Sequence, residues 1–164
     1  METKQLRSAE LAQWIEDQAG QVSAFQERCM AALEAQAAAL LNLLLAGGGG
    51  ALAFAVHLVE QRAETWLQAG ITAATVWLFL VAAVLLLRAM WAQPVYGPGN
   101  DPAHLKVAME IDLVSARLFQ LDHQQSAIEH DRARNDRIGM WLNRCRILAA
   151  ATPIVFLAAA WVVG

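Results

Sequence analysis

Apolar residues are concentrated in three runs along the chain, and polar segments separate the runs. Residues 37–59 carry no charged side chain, residues 71–91 contain only Arg88, and residues 147–163 are again uncharged. A helix needs about 20 apolar residues to cross the ~30 Å hydrocarbon core of a bilayer, and about 17 is the lower limit. The pattern therefore predicts an all-α integral membrane protein with three transmembrane helices, the third of marginal length.

The polar segment before the first run, residues 1–36, is predicted to form an amphipathic helix. Ser8 suits the N-cap position, and no proline follows it before the first apolar run. Apolar residues recur there at alternating spacings of four and three, which is typical of a coiled-coil seam. The candidate seam residues are Leu11, Ile15, Val22 and Phe25, with Gln18 and Cys29 in the same series.

A second long polar helix is predicted after a linker. Residues 92–102 contain three prolines and two glycines, which favour turns over helix. Asp101 and Pro102 form a good N-cap and first-turn pair for a helix over residues 103–146. Its candidate seam residues are Val107, Ile111, Val114, Leu118, Leu121 and Asn135.

Two arrangements of these seams are open. In the first, the two long helices pack against each other within one chain as a coiled-coil-like hairpin. In the second, the seams are also the surface on which copies oligomerise, and buried polar residues such as Asn135 fix the register. Seam spacing does not distinguish them, because it does not say whose helix lies opposite.

Charge predicts the orientation of the chain in the membrane. Of the twelve Lys and Arg residues, only Arg62 lies between the first two apolar runs. The positive-inside rule therefore predicts a cytosolic N-terminus, an outer loop over residues 60–70, a second cytosolic segment, and a C-terminal segment 147–164 that ends at the outer face. The net charge of −3 and the scattered basic residues give no expectation of nucleic-acid binding.

No arrangement of residues typical of an enzyme is found. His123 and His130 are seven residues apart, which is too far for one metal ion without a further ligand. The AGGGGA segment lacks the Lys and Ser/Thr of a phosphate-binding loop. Cys29 and Cys145 form no paired motif, so free thiols are expected. We expect no catalysis, no cofactor and no bound metal.

Four consecutive glycines lie inside the first apolar run, where Ala46 with Gly50 and Gly47 with Ala51 form small-xxx-small pairs. Such pairs allow close approach of helices in lipid, and the partner is either the chain's own second or third span or a neighbouring copy. Pro153 is expected to kink the third span. The candidates for helix packing or for a pore are Asn42, Gly47, Gly48, Gly49, Gly50 and Pro153.

The order of parts over residues 8–145, a polar helix, a tight transmembrane hairpin and a second long polar helix, resembles the SLATT-type membrane effectors of bacterial nucleotide-signalling and anti-phage defence systems. The third run departs from the two-span plan of that family. The resemblance implies an oligomeric pore-forming or membrane-disrupting effector of the bacterial inner membrane, controlled by a cytosolic protein. It transfers no site residues to this chain.

Three other functions fit the same pattern. The chain is alternatively a membrane anchor or scaffold that presents the helix of residues 103–145 to a soluble partner, or a protein similar to a phage holin. A soluble helical protein that hides its apolar runs in an oligomer is a further alternative. An effector predicts loss of membrane potential on expression, whereas an anchor does not. The partners expected for the main prediction are the lipid bilayer, further copies of the chain and a cytosolic protein.

Overall fold

The computed structural model describes residues 2–91 and 113–164, without the side chains of residues 2–10, 12, 113–116 and 118. The described residues form α1 (Glu2–Glu60), α2 (Thr65–Arg88), α3 (Leu113–Ala150) and α4 (Thr152–Val163). The described part of the chain holds no strand, which confirms the all-α prediction. The predicted linker 92–102, together with Val107 and Ile111, lies outside the described residues.

The four glycines do not interrupt α1, which is helical throughout. A glycine in a water-exposed helix costs about 1 kcal/mol relative to alanine. In an apolar medium, however, a backbone group without a hydrogen bond costs several kcal/mol. The helix therefore continues through Gly47–Gly50, because its backbone groups have no alternative partners there.

The turn between α1 and α2 is shorter than the predicted loop of residues 60–70. Arg62 has φ of 50°, and the amides of Arg62 and Ala63 bond the carbonyls of Val59 (3.2 Å) and Leu58 (3.0 Å). This is the hydrogen-bond pattern of a Schellman cap. Gln68 Nε2 also donates to the carbonyls of Leu58 (3.3 Å) and Ala63 (3.0 Å). These bonds fix the turn, and α2 begins at Thr65, before the second apolar run.

The chain divides into two compact units. Unit 2 contains residues 32–92 and 137–164. Its core joins α1, α2 and the end of α3, and Leu85, Leu142 and Cys145 are its largest fully buried side chains. The partly buried Trp77, Trp141 and Leu148 pack against this core. The interior of unit 2 is therefore a packed apolar core.

A bent arm formed by the end of α3 and by α4 runs antiparallel to α2 within unit 2. Trp141 lies under Arg88 at one end of α2, and Leu148 meets Trp77 near its middle. Gly70 faces Phe156, and Gly164 reaches Trp66 at the other end. The arm of residues 141–164 therefore extends along α2 from Arg88 to Trp66.

Two helices, Gln13–Glu60 within α1 and Thr65–Arg88, are long and apolar enough to cross a membrane, and the bent pair of α3 and α4 is a third if it counts as one span. With 12 residues, α4 alone is about 18 Å long, short of a ~30 Å core. The third span thus depends on α3 continuing into α4.

Unit 1 contains residues 1–31 and 93–136. Within it, Asn135 Nδ2 donates to Gln26 Oε1 (2.9 Å) and to the Gln26 carbonyl (3.2 Å), and Arg117 Nε lies 3.6 Å from Glu16 Oε1. Residue numbers rise together in these pairs, so α1 and α3 run parallel. The predicted hairpin is wrong in this respect, because α2 lies between the two helices in the sequence and already reverses the chain direction.

The face of α1 that contacts α3 differs from the predicted seam. Glu16 and Gln26 make the contacts, whereas the predicted residues Leu11 (58%), Ile15 (38%), Val22 (43%) and Phe25 (61%) are exposed. On α3, Leu121 is half-buried and Asn135 is buried, as the seam predicts. The side chains of Val114 and Leu118 lie outside the described residues. Among the residues that the structure describes, the predicted seam of α1 is therefore exposed.

Candidate functional site

The outer surface of unit 2 is apolar. Trp161 and Val162 are 86% and 80% exposed, and Leu43 is 70% exposed. A contiguous apolar surface of this kind marks contact with a membrane or with another protein. Further exposed apolar side chains on this unit are Leu52, Phe54, Val59, Val76, Leu80, Leu87, Ile147, Ile154 and Leu157. Together with the length of the helices, this surface indicates association with a membrane.

The two ends of unit 2 differ in charge. At one end, the guanidinium groups of Arg88 and Arg144 lie 5.4 and 5.0 Å from the ring centroid of Trp141. Arg146 Nη2 donates to Gln36 Oε1 (2.8 Å) beside them. We call this the arginine end, and we call the opposite end, with the α1–α2 turn, the turn end. An aromatic ring next to cationic side chains is typical of the membrane–water interface.

The four glycines divide into two pairs with different surroundings. A Cβ atom on Gly47 would lie 3.8 Å from Leu78, and one on Gly48 would lie 3.3 Å from the ring of Phe79. A Cβ atom on Gly49 or Gly50 would meet no atom within 4 Å. Gly47 and Gly48 thus pack against the chain's own α2, whereas Gly49 and Gly50 face away from it. Packing on the chain's own second span therefore holds for Gly47 and Gly48, and contact of Gly49 and Gly50 with a neighbouring copy stays a prediction.

The outward pair belongs to a larger exposed surface on α1, which we call the α1 stripe and define as Asn42, Ala46, Gly49, Gly50 and Ala53. All five residues are exposed. Their spacings of three and four place them on one face of a helix. The Asn42 side chain makes no hydrogen bond with any described residue, although it lies within an apolar run.

A groove on α2 was not predicted from the sequence. Its volume is about 590 Å³, and it is an open depression on the outer face of unit 2. The polar side chains are at the turn end and the bulky apolar ones are towards the middle of α2. The lining residues are Thr65, Gln68, Ala69, Thr72, Ala73, Val76, Trp77, Leu80 and Val155. The small-xxx-small pair Ala69 and Ala73 was the available sequence signal.

The bend between α3 and α4 lies where Pro153 predicts a kink, and it measures 41°. Proline has no amide hydrogen to give to the Ala149 carbonyl, and Thr152 Oγ1 donates to that carbonyl instead (2.6 Å). The Trp77 indole donates to the neighbouring Leu148 carbonyl (2.8 Å). Side chains therefore donate to both carbonyls at the bend, and the Leu148 carbonyl also accepts from the Ala151 amide (3.2 Å). Trp77 ties the bend to α2.

Within the two described ranges, no three His, Cys, Asp or Glu side chains are placed to hold a metal ion. His123 instead stacks on Phe119, with ring centroids 6.0 Å apart. Comparisons of the chain with protein families, curated proteins and solved structures give no match.

Proposed function

We propose that the protein is a non-enzymatic membrane protein whose copies associate and make the bacterial inner membrane permeable. The observation that carries the proposal is the exposed apolar seam of unit 1. Leu11, Val22 and Phe25 are 58%, 43% and 61% exposed on a segment that also carries most of the charge of α1. Exposed apolar side chains in a water-facing segment favour a protein partner.

A second copy is the partner that needs no further assumption, since every copy carries the same seam. In a coiled coil, the seam residues of one helix pack against the seam of the facing helix, which can belong to a second copy of the same chain. The core of unit 2 is packed with apolar side chains such as Leu85 and Leu142. A path for ions would therefore run between copies, and permeability would depend on association.

The orientation in this proposal follows the charge. The arginine end faces the cytosol and the turn end faces outward, because Lys and Arg are enriched at the cytosolic ends of spans. With α1 and the α3–α4 arm crossing in the same direction, the N-terminus is cytosolic and the C-terminus is at the outer face. The resemblance to SLATT-type effectors supports the same layout and adds a cytosolic protein as a trigger.

The seam also favours a second candidate function. A soluble protein that covers Leu11, Val22 and Phe25 would make the chain an anchor or scaffold. Such a protein would leave the membrane potential unchanged. The two functions differ in this measurable property.

The test is inducible expression in bacteria with a membrane-potential dye, at matched membrane levels of each variant. Phe25→Glu places a charge in the seam, and Gln13→Glu is the control because Gln13 is exposed on another face of α1. We expect depolarisation by the intact chain and by Gln13→Glu, and its loss in Phe25→Glu. An unchanged potential in all three strains would instead support the anchor.

A further inference from the structure

We propose that the arginine end of unit 2 binds the phosphate group of an anionic phospholipid, and that Arg88 and Arg144 hold this phosphate together. Such a site would be present whether the chain makes the membrane permeable or anchors a soluble partner, so it goes beyond the proposed function. Three observations carry the proposal. Two guanidinium groups converge on one ring, no described carboxylate offsets their charge, and exposed apolar side chains lie beside them.

Arg88 and Arg144 come from different helices and meet at the same side chain. Arg88 is in the last turn of α2, and Arg144 follows Trp141 on α3. Their guanidinium carbons lie 5.4 and 5.0 Å from the centroid of the Trp141 ring. Trp141 is half-buried and packs against the apolar core of unit 2, so its position is fixed. The ring therefore holds two exposed cationic side chains close to each other.

No described group of the chain neutralises this pair. Two positive charges at short distance repel each other unless an anion lies near them. Among the described residues, neither Arg88 nor Arg144 has a carboxylate partner or a hydrogen-bond acceptor. Arg146 beside them donates to the neutral amides of Gln36 (2.8 Å) and Asn143 (3.4 Å). The N–H donors of Arg88 and Arg144 are thus available to an anion from outside the chain.

The sequence of unit 2 gives the arginine end an excess of positive charge. The segments at this end contain one acidic residue, Glu34, and four arginines, namely Arg88, Arg137, Arg144 and Arg146. The other two acidic residues of unit 2, Glu60 and Glu64, are at the turn end. The fork of N–H donors on a guanidinium group matches two oxygens of a phosphate, and these hydrogen bonds are strengthened by charge. A phosphate is therefore the anion that suits this pair.

Apolar side chains beside the two arginines favour a phospholipid over a free phosphate ion. Ile147 is 70% exposed and follows Arg144 by three residues, so the two share a face of α3. Leu87 is 58% exposed and directly precedes Arg88. From Arg144, α3 runs towards the bent third span, so Ile147 lies on the membrane side of the guanidinium group. Acyl chains below a bound phosphate would therefore meet apolar surface, and basic pockets between membrane helices bind anionic headgroups in this way.

Binding of lipid to the full chain in detergent tests this site. The probes are phosphatidylglycerol and phosphatidylcholine with identical acyl chains and the same tail label, and the affinity for each is measured on chain captured on beads. The variants are Arg88→Gln, Arg144→Gln and the double variant. Arg62→Gln is the matched control, because it removes the same charge from an exposed arginine at the turn end. Circular dichroism checks that each variant is folded.

We expect the intact chain and Arg62→Gln to bind phosphatidylglycerol several-fold more tightly than phosphatidylcholine. Each single substitution at Arg88 or Arg144 should lower the affinity for phosphatidylglycerol several-fold and leave that for phosphatidylcholine unchanged. Because one phosphate needs both guanidinium groups, the double variant should lose less affinity than the product of the two single losses. Inorganic phosphate, added as a competitor, should lower binding no more than sodium chloride at the same ionic strength.

Four results would overturn the proposal. Equal affinities of the intact chain for the two lipids would show that the headgroup charge is not recognised. An equal loss in Arg62→Gln would show general attraction to charge instead of a site. Losses that multiply in the double variant would show two independent contacts. Displacement of the lipid by phosphate beyond the chloride control would assign the site to a free phosphate ion. The proposed function is tested separately by the membrane potential, so it would stand after any of these results.

Discussion

At the scale of residues, the glycine quartet is two features rather than one. Gly47 and Gly48 allow α2 to pack closely on α1, and Phe79 covers Gly48. A Cβ atom on Gly49 or Gly50 would meet no described atom within 4 Å, so these two positions of the α1 stripe carry no side chain and no packed neighbour among the described residues. The same residue type thus serves internal packing on one side of the helix and an exposed surface on the other.

Substitutions should separate the two pairs. Gly48→Leu pushes into the ring of Phe79, and overpacking of a filled site costs about 1–3 kcal/mol. Gly49→Ala meets open space and removes a residue of poor helix propensity. We expect a lower melting temperature in detergent for Gly48→Leu and an unchanged or higher one for Gly49→Ala, measured by circular dichroism. Equal melting temperatures for intact chain and Gly48→Leu would contradict the packing assigned to Gly48.

At the scale of elements, α4 packs against α2 at Gly70, and the bend before α4 is bonded to α2 through Trp77. A Cβ atom on Gly70 would lie 2.7 Å from Cε2 of Phe156, so any side chain there must displace the ring. Thr152 Oγ1 donates to the Ala149 carbonyl, to which Pro153 has no amide hydrogen to give, and Trp77 donates to the Leu148 carbonyl, which also accepts from the Ala151 amide. The short α4 therefore depends on α2 for its position.

Gly70→Ala should loosen the packing of α4 on α2. We expect a lower melting temperature in detergent and faster proteolysis near the C-terminus. Phe156→Ala removes the clashing ring, so the double variant should be less destabilised than the sum of the single variants. Additive effects of the two substitutions would show that Gly70 and Phe156 are not in contact.

Trp77→Phe tests the tie between α2 and the bend. The substitution keeps the aromatic packing and removes the indole donor to the Leu148 carbonyl. A lost neutral hydrogen bond in a partly buried site costs about 1 kcal/mol. Trp66→Phe is the matched control, because Trp66 is exposed at the turn end. We expect a measurable drop in the free energy of unfolding for Trp77→Phe but not for Trp66→Phe.

At the scale of the whole molecule, the sequence predicted the helices well and their packing less well. The apolar runs predicted helices long and apolar enough to cross a membrane, two of them or three with the bent pair, and Pro153 predicted the bend, because length and proline act locally. The direction of α3 relative to α1 follows from the reversal of the chain at α2, whereas the face of α1 that meets α3 could not be read, since the polar Glu16 and Gln26 make the contacts and the apolar seam does not. The division of the glycines depends on where Phe79 lies, which is a tertiary property.

The orientation predicts which residues a membrane-impermeant thiol reagent reaches in intact cells. In a Cys29→Ser background, Gln61→Cys in the α1–α2 turn should be labelled from outside, since Gln61 is exposed at the turn end. Gln18→Cys, also exposed, should be labelled only after the cells are opened. Labelling of Gln18→Cys in intact cells would show that the chain has the opposite orientation in the membrane.

The central claim is that copies of this chain associate in the bilayer. The most direct measurement is to count the copies in each assembly by single-molecule photobleaching of the labelled full chain, in vesicles at a low protein-to-lipid ratio. Phe25→Glu, labelled to the same extent, is the comparison, because Phe25 is an exposed residue of the seam. We predict several bleaching steps per spot for the intact chain and a shift to fewer steps for Phe25→Glu. Single bleaching steps for the intact chain would contradict the claim.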